Sequence, residues 1–274
     1  MASMNLRIVA DNAVDRANVA CSSTAGSLWP ANLQAERKSQ VWRGNTKSET
    51  ITLTWTAPEI VSMVAMLGNF SPTCTIRVRG YSDSAGNTQV LDTGSPLACP
   101  APAVRLRGWT AAASMSAYAY RGGAIARTWF AETSVQRLVI DIVDTANLQG
   151  YIEAAWLVTG KYWAPYYNAS GASRSAVDST ISNLTGAGDS VSQVGTIANK
   201  VSIDLAWLNP DDRATMEDML DNSRAYPIFL SVYPGSTDLK LEAKNTVYGK
   251  RSSDSEVAWA FANTYNTKVE IQSI

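Results

Sequence analysis

The chemistry open to this chain is limited first by a residue type that it lacks, because none of its 274 residues is histidine. Without histidine, no Ser-His-Asp or Cys-His pair can activate a nucleophile, and no imidazole can ligate zinc. Three cysteines, Cys21, Cys74 and Cys99, lie far apart, and the sequence has no CxxC pair. This spacing favours buried thiols over a zinc knuckle or a redox motif. We therefore predict no metal site and no cofactor.

Carboxylate pairs are the remaining route to hydrolysis, above all of glycosidic bonds. The candidate acids are Asp141, Asp144, Glu132 and Glu153. Asp141 lies on the outward parity of a predicted strand, and Asp144 opens a predicted turn, where aspartate commonly bonds the local backbone. No GxGxxG, Walker, GxSxG or HExxH motif is present. The prediction is that the protein is not an enzyme and has no catalytic residues, with a carboxylate glycosidase acting on capsule as an alternative.

A loop of cation-ligand composition lies at residues 83–87, Asp-Ser-Ala-Gly-Asn. It lacks the closing bidentate glutamate of a calcium loop. A plain hairpin loop is therefore predicted there in preference to a structural calcium site.

Aromatic residues are the third chemical resource, with nine Trp and eleven Tyr against four Phe. Trp and Tyr suit sugar stacking and protein interfaces, where one end of the side chain is apolar and the other is wet. Four of them fall in or just after the least strand-like segment and are candidates for a loop-built binding or interface site: Trp109, Tyr118, Tyr120 and Trp129. Four more flank a predicted linker, where an inter-domain or inter-subunit contact is expected: Tyr162, Trp163, Tyr166 and Tyr167. Parity assigns Trp55, Trp156, Trp207 and Trp259 to cores.

The elements that must position these residues are mostly strands. Residues 51–55 alternate apolar and polar, as do residues 75–81, with Arg77 and Arg79 facing water. Residues 60–67 are apolar on both parities and predict a strand covered on two faces. Strands are also predicted at 136–143 and 151–159. Many short strands with frequent turn signals are typical of a β-sandwich.

The composition changes after Trp163, where residues 168–199 are rich in Ser, Ala, Gly and Asn. Strands are predicted beyond them at 201–207, 228–233, 257–261 and 268–271. Asn209-Pro210-Asp211-Asp212 predicts a helix start, because Asn caps, Pro suits the first position and acids face the positive end of the dipole. We therefore predict a mainly β protein with a sandwich at 1–163, a linker or arm at 164–199, and a β-rich domain at 200–274 with one short helix near 210–223.

Charge and the ends of the chain exclude further classes of protein. The formal net charge is −1 and no basic block is present, which argues against binding nucleic acid. The first residues lack a basic stretch followed by an apolar run, so neither a secretory signal nor a membrane span is predicted. Synthesis and assembly are expected in a reducing cytoplasm.

Two stretches resemble known families. Trp29-Pro30-Ala31-Asn32-Leu33, Trp42-Arg43 and the closing Gly150-Tyr151-Ile152-Glu153 resemble discoidin-like (galactose-binding-like) jelly rolls over residues 5–163. From about residue 190, the predicted strand at 201–207, the acidic helix and Tyr248-Gly249 are similar to distal-tail proteins of siphophages. The combination resembles siphophage baseplate proteins.

This resemblance implies a structural subunit of a phage tail tip, located in the virion and assembled as a homo-oligomeric ring with other tail, hub and tail-tube proteins. The predicted arm at 164–199 is where clasping between subunits is expected. The alternative from another class is a carbohydrate-binding or host-receptor-binding module of the virion, which would hold a cell-surface glycan with the loop aromatics from Trp109 to Trp129. The resemblance carries over no individual ligand-binding residue.

Overall fold

The computed structural model of this chain describes residues 5–99, 124–184, 186–193, 195, 197–223 and 226–274. Within them the protein is mainly β, as the sequence predicts. The strands are β1 (Arg7–Val9), β2 (Asn18–Cys21), β3 (Trp42–Arg43), β4 (Ser48–Gly68), β5 (Thr75–Tyr81), β6 (Gln89–Asp92), β7 (Ala124–Val143), β8 (Glu153–Gly160), β9 (Gly171–Asp178), β10 (Ile181–Leu184), β11 (Ser190–Gln193), β12 (Ile197–Leu208), β13 (Ile228–Ser231), β14 (Thr246–Arg251), β15 (Val257–Phe261) and β16 (Thr264–Ser273). The α-helices of the described ranges are α1 (Pro210–Asn222) and α2 (Leu239–Lys244).

The first seven-stranded sheet is the predicted jelly-roll sandwich, in the order β3-β8-β4-β7-β5-β6 with β2 paired to β4. The long strands β4 and β7 each serve both layers of the sandwich. The register of their pairing shifts between Thr54 and Glu59 and again between Val61 and Met63, and such irregularities let strands bend from one layer to the other. Alternate residues of β4 and β7, such as Leu53 and Leu138, fill the core between the layers.

The second seven-stranded sheet runs β1-β13-β14-β16-β12-β9, with β15 also paired to β16. Strand β1 comes from the beginning of the chain, and Arg7–Val9 pairs antiparallel with residues 229–231 of β13. One face of this sheet packs against α1 through Met216 and Leu220. The chain therefore leaves the second sheet after β1, builds the jelly roll, and returns to complete the second sheet.

Helix α1 begins as the sequence predicts. The Asn209 carboxamide oxygen accepts a hydrogen bond from Asp212 N–H at 2.7 Å, and Pro210 takes the first helical position. Helix α2, only six residues long, is not predicted from the sequence. Among the described residues, no helix has both the length and the apolar composition to cross a membrane.

The two sheets meet at a joint formed by the outer face of β4 and β8 and by strands β13 and β14. Strand β4 is covered on both faces there, as predicted: Val64 and Met66 join the jelly-roll core, and Met63 and Ala65 join a third cluster at the joint. Within that cluster the rings of Trp156 and Tyr248 lie 4.6 Å apart.

The described part of residues 164–199, predicted as a linker or arm, contains β9, β10, β11 and the first residues of β12. Strand β9 pairs with residues 197–204 of β12, and β10 pairs with β11 in a two-stranded hairpin. Beyond residue 200 towards the hairpin, β12 no longer pairs with β16. The described residues between 175 and 200 thus form a two-stranded ribbon, and those of β10, β11 and the end of β9 are exposed. The predicted boundaries of the arm stay a prediction.

Candidate functional site

The predicted loop aromatics divide into two groups. Trp109, Tyr118 and Tyr120 lie outside the described residues. Trp129 lies in strand β7, paired with Met63, and not in a loop. Its indole Nε1 donates a hydrogen bond of 2.7 Å to Glu242 Oε1, and its ring contacts Phe229 of the second sheet. Trp129 is therefore part of the joint between the two sheets.

The joint also contains a buried ion pair that sequence analysis does not identify. Arg127 Nε lies 2.9 Å from Glu242 Oε1, and each side chain is 2% exposed. Arg127 Nη2 donates a further hydrogen bond of 2.9 Å to the carbonyl oxygen of Leu239. Helix α2 therefore supplies two partners of the buried Arg127 guanidinium, and the carbonyl oxygen of Ile125 accepts a third contact from Nη1 at 3.4 Å.

Tyr162 and Trp163 lie where the jelly roll leads back to the second sheet. The ring of Tyr162 meets that of Trp129 edge-on at 5.8 Å, and the Arg7 guanidinium lies 4.2 Å from the Tyr162 ring centroid. Trp163 exchanges two backbone hydrogen bonds with Ile8, of 2.9 Å and 2.7 Å. Both residues therefore contact the second sheet from within the same chain.

Tyr166 and Tyr167 are exposed, and their rings meet edge-on with centroids 4.8 Å apart. The backbone N–H of Tyr166 donates to Asp212 Oδ2 at 2.9 Å, which ties this segment to the start of α1. Tyr167, 56% exposed, lies in the wall of a cleft on the second sheet.

This aromatic cleft has a volume of about 450 Å³ and is lined by Tyr167, Trp207, Leu208, Asn209, Asn263 and Thr264. Three irregular features of the second sheet bring these residues together. Strand β12 has a register shift between Leu205 and Leu208, helix α1 starts at Asn209, and β15 turns into β16 at residues 262–263. Asn263 takes a φ of 58°, a left-handed conformation that asparagine tolerates better than most residues.

Two tryptophans expected in cores are exposed, so their predicted placement is wrong. Trp207 is 53% exposed because the register shift in β12 breaks the alternation of faces. Trp259 is 74% exposed and lies on β15, a five-residue strand that pairs with the first residues of β16. The other two tryptophans assigned to cores, Trp55 and Trp156, are each 3% exposed, which confirms those assignments.

The chemical groups of the aromatic cleft are two ring faces, two carboxamides and a hydroxyl. The Asn209 carboxamide is fixed in orientation by its bond to Asp212 N–H. A concave site of this size with a few polar groups beside apolar rings is typical of a small-molecule site. Tyr and Trp rings offer flat apolar area, while amides and hydroxyls can both donate and accept hydrogen bonds.

A second cleft is lined by neighbouring residues of β12, among them Ala206, the residue before Trp207. Its volume is about 460 Å³, and its charged residues are Asp204, Asp254, Glu256 and Lys268. Carboxylates therefore outnumber cations there. Within the described ranges, no group of three or more Cys, Asp or Glu side chains is arranged to hold a metal ion.

The four candidate acids are held in separate contacts. Asp141 Oδ2 lies 2.7 Å from Arg79 Nη2, and Glu153 pairs with Arg43 at 2.5 Å. Asp144 is fully buried and accepts the backbone N–H of Ser71 at 2.7 Å. Glu132 pairs with Lys161 at 3.2 Å.

These contacts match the local roles that the sequence suggests for Asp141 and Asp144. Asp141 is partly exposed on the outward parity of β7, and Asp144 bonds the backbone and side chains of nearby turns. Neither carboxylate lines either of the two clefts described above.

The loop at residues 83–87 connects β5 to β6, as predicted for a hairpin loop. The Asp83 carboxylate accepts hydrogen bonds from the backbone N–H groups of Asn87, Thr88 and Gly86. These bonds, that from Asn87 above all, lower the pKa of Asp83. The carboxylate thus organises the turn.

Comparison with known proteins gives a likeness of fold only. No family model matches the sequence, and no curated protein matches it. One similar solved structure is a CBM32 module from Clostridium perfringens in complex with GalNAc-β-1,3-galactose: the identity is 10%, the TM-score is 0.40, and the match covers 55% of this chain and 100% of that one. Another is chitosan-binding module 1 of a chitosanase/glucanase from Paenibacillus sp. IK-5, at 12% identity, a TM-score of 0.39 and coverage of 55% and 99%.

A third similar structure is the CBM32 of AlyQ in complex with 4,5-unsaturated mannuronic acid, at 16% identity and a TM-score of 0.36, covering 54% of this chain and 95% of that one. These structural neighbours are carbohydrate-binding modules with the galactose-binding-like jelly roll. None of the comparisons indicates a phage tail or baseplate protein.

Proposed function

We propose that this protein is a non-enzymatic carbohydrate-binding protein that holds a sugar in the aromatic cleft of its second sheet. The observation that carries the proposal is the pair of half-exposed rings, Tyr167 and Trp207, in one cleft with the carboxamides of Asn209 and Asn263. Exposed aromatic surface in a concave setting marks an interaction site. Exposure of the Tyr167 and Trp207 rings to water does not stabilise the fold, so it favours a role in binding.

A sugar can interact with both the aromatic rings and the polar side chains that line the cleft. The C–H face of a pyranose ring is apolar and flat, so it can cover the Trp207 indole or the Tyr167 ring and remove apolar area from water. The sugar hydroxyls both donate and accept, which suits the Asn263 carboxamide and the Thr264 hydroxyl. A cleft of about 450 Å³ has room for one or two sugar rings and lies within the usual range of ligand sites.

The test begins with a glycan array probed with the full chain, followed by calorimetric titration of the best oligosaccharide. We expect Trp207→Ala to weaken binding by about tenfold or more, since about 1.4 kcal/mol of lost stacking corresponds to that factor. Asn263→Gly keeps the left-handed turn, because glycine adopts positive φ freely, and removes only the carboxamide. It should therefore weaken binding without a change in melting temperature.

Trp259→Ala is the matched control, because Trp259 is an exposed tryptophan of the same sheet that does not line the aromatic cleft. Its binding should equal that of the wild type. Trp109→Ala tests the loop set predicted from the sequence. Loss of binding in Trp109→Ala but not in Trp207→Ala would move the site to the loops, and a blank array would reject carbohydrate binding.

The second candidate is a structural subunit of a phage tail tip or baseplate, and the ribbon of residues 175–200 favours it. An isolated two-stranded hairpin is marginally stable in water. This one exposes three large apolar side chains, Ile181, Leu184 and Val191, with Leu184 at 78%. A ribbon of this kind gains stability when neighbouring subunits cover it.

Electron microscopy of the purified protein, alone and with tail-tube protein, tests this candidate. We expect rings from the wild type, and dispersed particles from a variant with Ile181, Leu184 and Val191 all changed to Ser. The variant should keep the melting temperature of the wild type, because these side chains add nothing to a core. A wild type that stays dispersed in both samples would reject the candidate.

A further inference from the structure

We infer that two copies of this chain pair through strand β9, edge to edge and antiparallel, about a two-fold axis at Ala176. Strand β9 ends the order of the second sheet, and within the described part of the chain it pairs only with β12. The outer edge of β9 therefore presents backbone N–H and C=O groups that a further strand can bond.

Apart from its two charged residues, the edge lacks the usual devices that prevent such pairing. Natural edge strands are kept short, bulged, charged or interrupted by proline. Strand β9 has eight residues, Gly-Ala-Ser-Arg-Ser-Ala-Val-Asp, with no proline, and its register with β12 runs without a shift. Small side chains at Ser173, Ser175 and Ala176 leave room for a second strand to approach.

Its two charges select the partner and the register. Arg174 and Asp178 lie four residues apart and so on one face of the strand. When two copies pair about Ala176, Arg174 of each copy lies opposite Asp178 of the other, and two attractive pairs form. Pairing about Arg174 or about Asp178 would place like charges opposite each other, which is destabilising.

Both charged side chains also have contacts within their own copy. Arg174 Nη2 donates a hydrogen bond of 2.6 Å to Asn199 Oδ1, and Asn199 is the cross-strand partner of Ala176 on β12. The guanidinium therefore bonds across to β12, on the inner side of β9, and turns to the outer edge when the second copy pairs. The Asp178 carboxylate accepts the backbone N–H of Thr180 at 2.9 Å, which holds it at the far end of the strand.

A second copy fits this edge better than another protein would, because the charge pattern is complementary to itself. Two-fold pairing uses the same patch on both subunits. The formal net charge of −1 gives little long-range repulsion between copies. The pairing depends on neither the aromatic cleft nor the ribbon tip, so it can fail while either function stands.

A charge swap tests the register. Sedimentation velocity of the full chain at rising concentration should show a monomer–dimer equilibrium. Arg174→Asp alone and Asp178→Arg alone should each weaken the dimer by about tenfold, because both pairs in the dimer become repulsive. The double variant R174D/D178R restores opposite charges and should restore the dimer. A wild type that is monomeric throughout, or single variants that dimerise as well as the wild type, would overturn the inference.

Cross-linking tests the axis independently. In a Cys21→Ser background, which removes the partly exposed native thiol, Ala176→Cys places one thiol opposite its own copy and should give a disulfide-linked dimer under a mild oxidant. Ser173→Cys is the matched control, because in this register it faces residue 179 of the other copy and should remain monomeric on a non-reducing gel. Equal cross-linking of both variants, or of neither, would reject pairing about Ala176.

Discussion

The two sheets of this protein treat their aromatic residues in opposite ways. In the jelly roll, Trp42 and Trp55 are enclosed between two layers, and Trp156 on its outer face is covered by the second sheet. In the second sheet one face is packed against α1 and the other is open, as the exposed Lys268 shows, and Trp207 and Trp259 are both more than half exposed. The three jelly-roll tryptophans are buried and stabilise the fold, whereas these two tryptophans of the second sheet remain exposed to solvent.

The difference lies in where the exposed aromatic residues occur in the chain. Antiparallel sheets commonly keep one face wet, but that face is normally polar. The aromatic cleft of this sheet is built at irregular positions: Trp207 at a register shift, Asn209 at a helix start and Asn263 in a hairpin turn. Residues at such positions contribute little to a core, so they are free to serve recognition.

The largest expected effect that sharpens this comparison comes from the covered joint. Glu242→Ala should lower the free energy of unfolding by about 3–5 kcal/mol, because it leaves the buried Arg127 guanidinium without its carboxylate. The same change removes the acceptor of Trp129 Nε1. Urea unfolding followed by tryptophan fluorescence measures the loss.

The matched control is Glu132→Ala, which removes the same side chain from the exposed pair with Lys161. Exposed pairs contribute about 0–1 kcal/mol, so the control should unfold close to the wild type. If Glu242→Ala were as mild as Glu132→Ala, the joint would be solvated, and the contrast between a covered and an open face would fail there.

The regular strands and the locally capped helix of this fold could be predicted from the sequence. The strands at 51–55, 75–81 and 136–143 are predicted correctly because a half-buried strand alternates apolar and polar residues. Residues 60–67 reveal burial on both faces by the absence of alternation, and the joint supplies the second cover. The start of α1 is predicted because its cap is local, from Asn209 to Asp212.

Two kinds of feature could not be predicted from the sequence: irregular positions within strands, and contacts between residues far apart in the chain. Trp207 follows the parity of a core residue until the register shift of β12 turns it outward. Strand β9 has no apolar alternation, and its pairing to β12 is a backbone property that composition does not reveal. Trp129 and Glu242 are 113 residues apart, so no local sequence pattern predicts their contact. The aromatic cleft could not be predicted for the same reason, since its walls come from three separate segments.

The smallest expected effect concerns Glu270, a carboxylate of the second sheet that is less buried than Glu242. Glu270 Oε1 lies 3.1 Å from Lys268 Nζ, and Glu270 also pairs with Lys200. The hydrogen bond from Lys200 and then that from Lys268 lower the pKa of Glu270 from 4.5 to about 2. A carboxyl whose pKa is lower in the folded state stabilises the fold above its unfolded value, and the contribution is lost as the pH falls through the folded value.

We therefore expect Glu270→Gln to lower the melting temperature slightly at pH 7 and to converge with the wild type between pH 4.5 and about pH 2. The difference at pH 7 should stay below about 1 kcal/mol, because a partly exposed pair is screened by water and salt. Calorimetry at several pH values measures it, with Glu217→Gln in the exposed pair to Arg213 as the control. A loss at pH 7 as large as that of Glu242→Ala would show that water does not screen Glu270, and this face could no longer be treated as open.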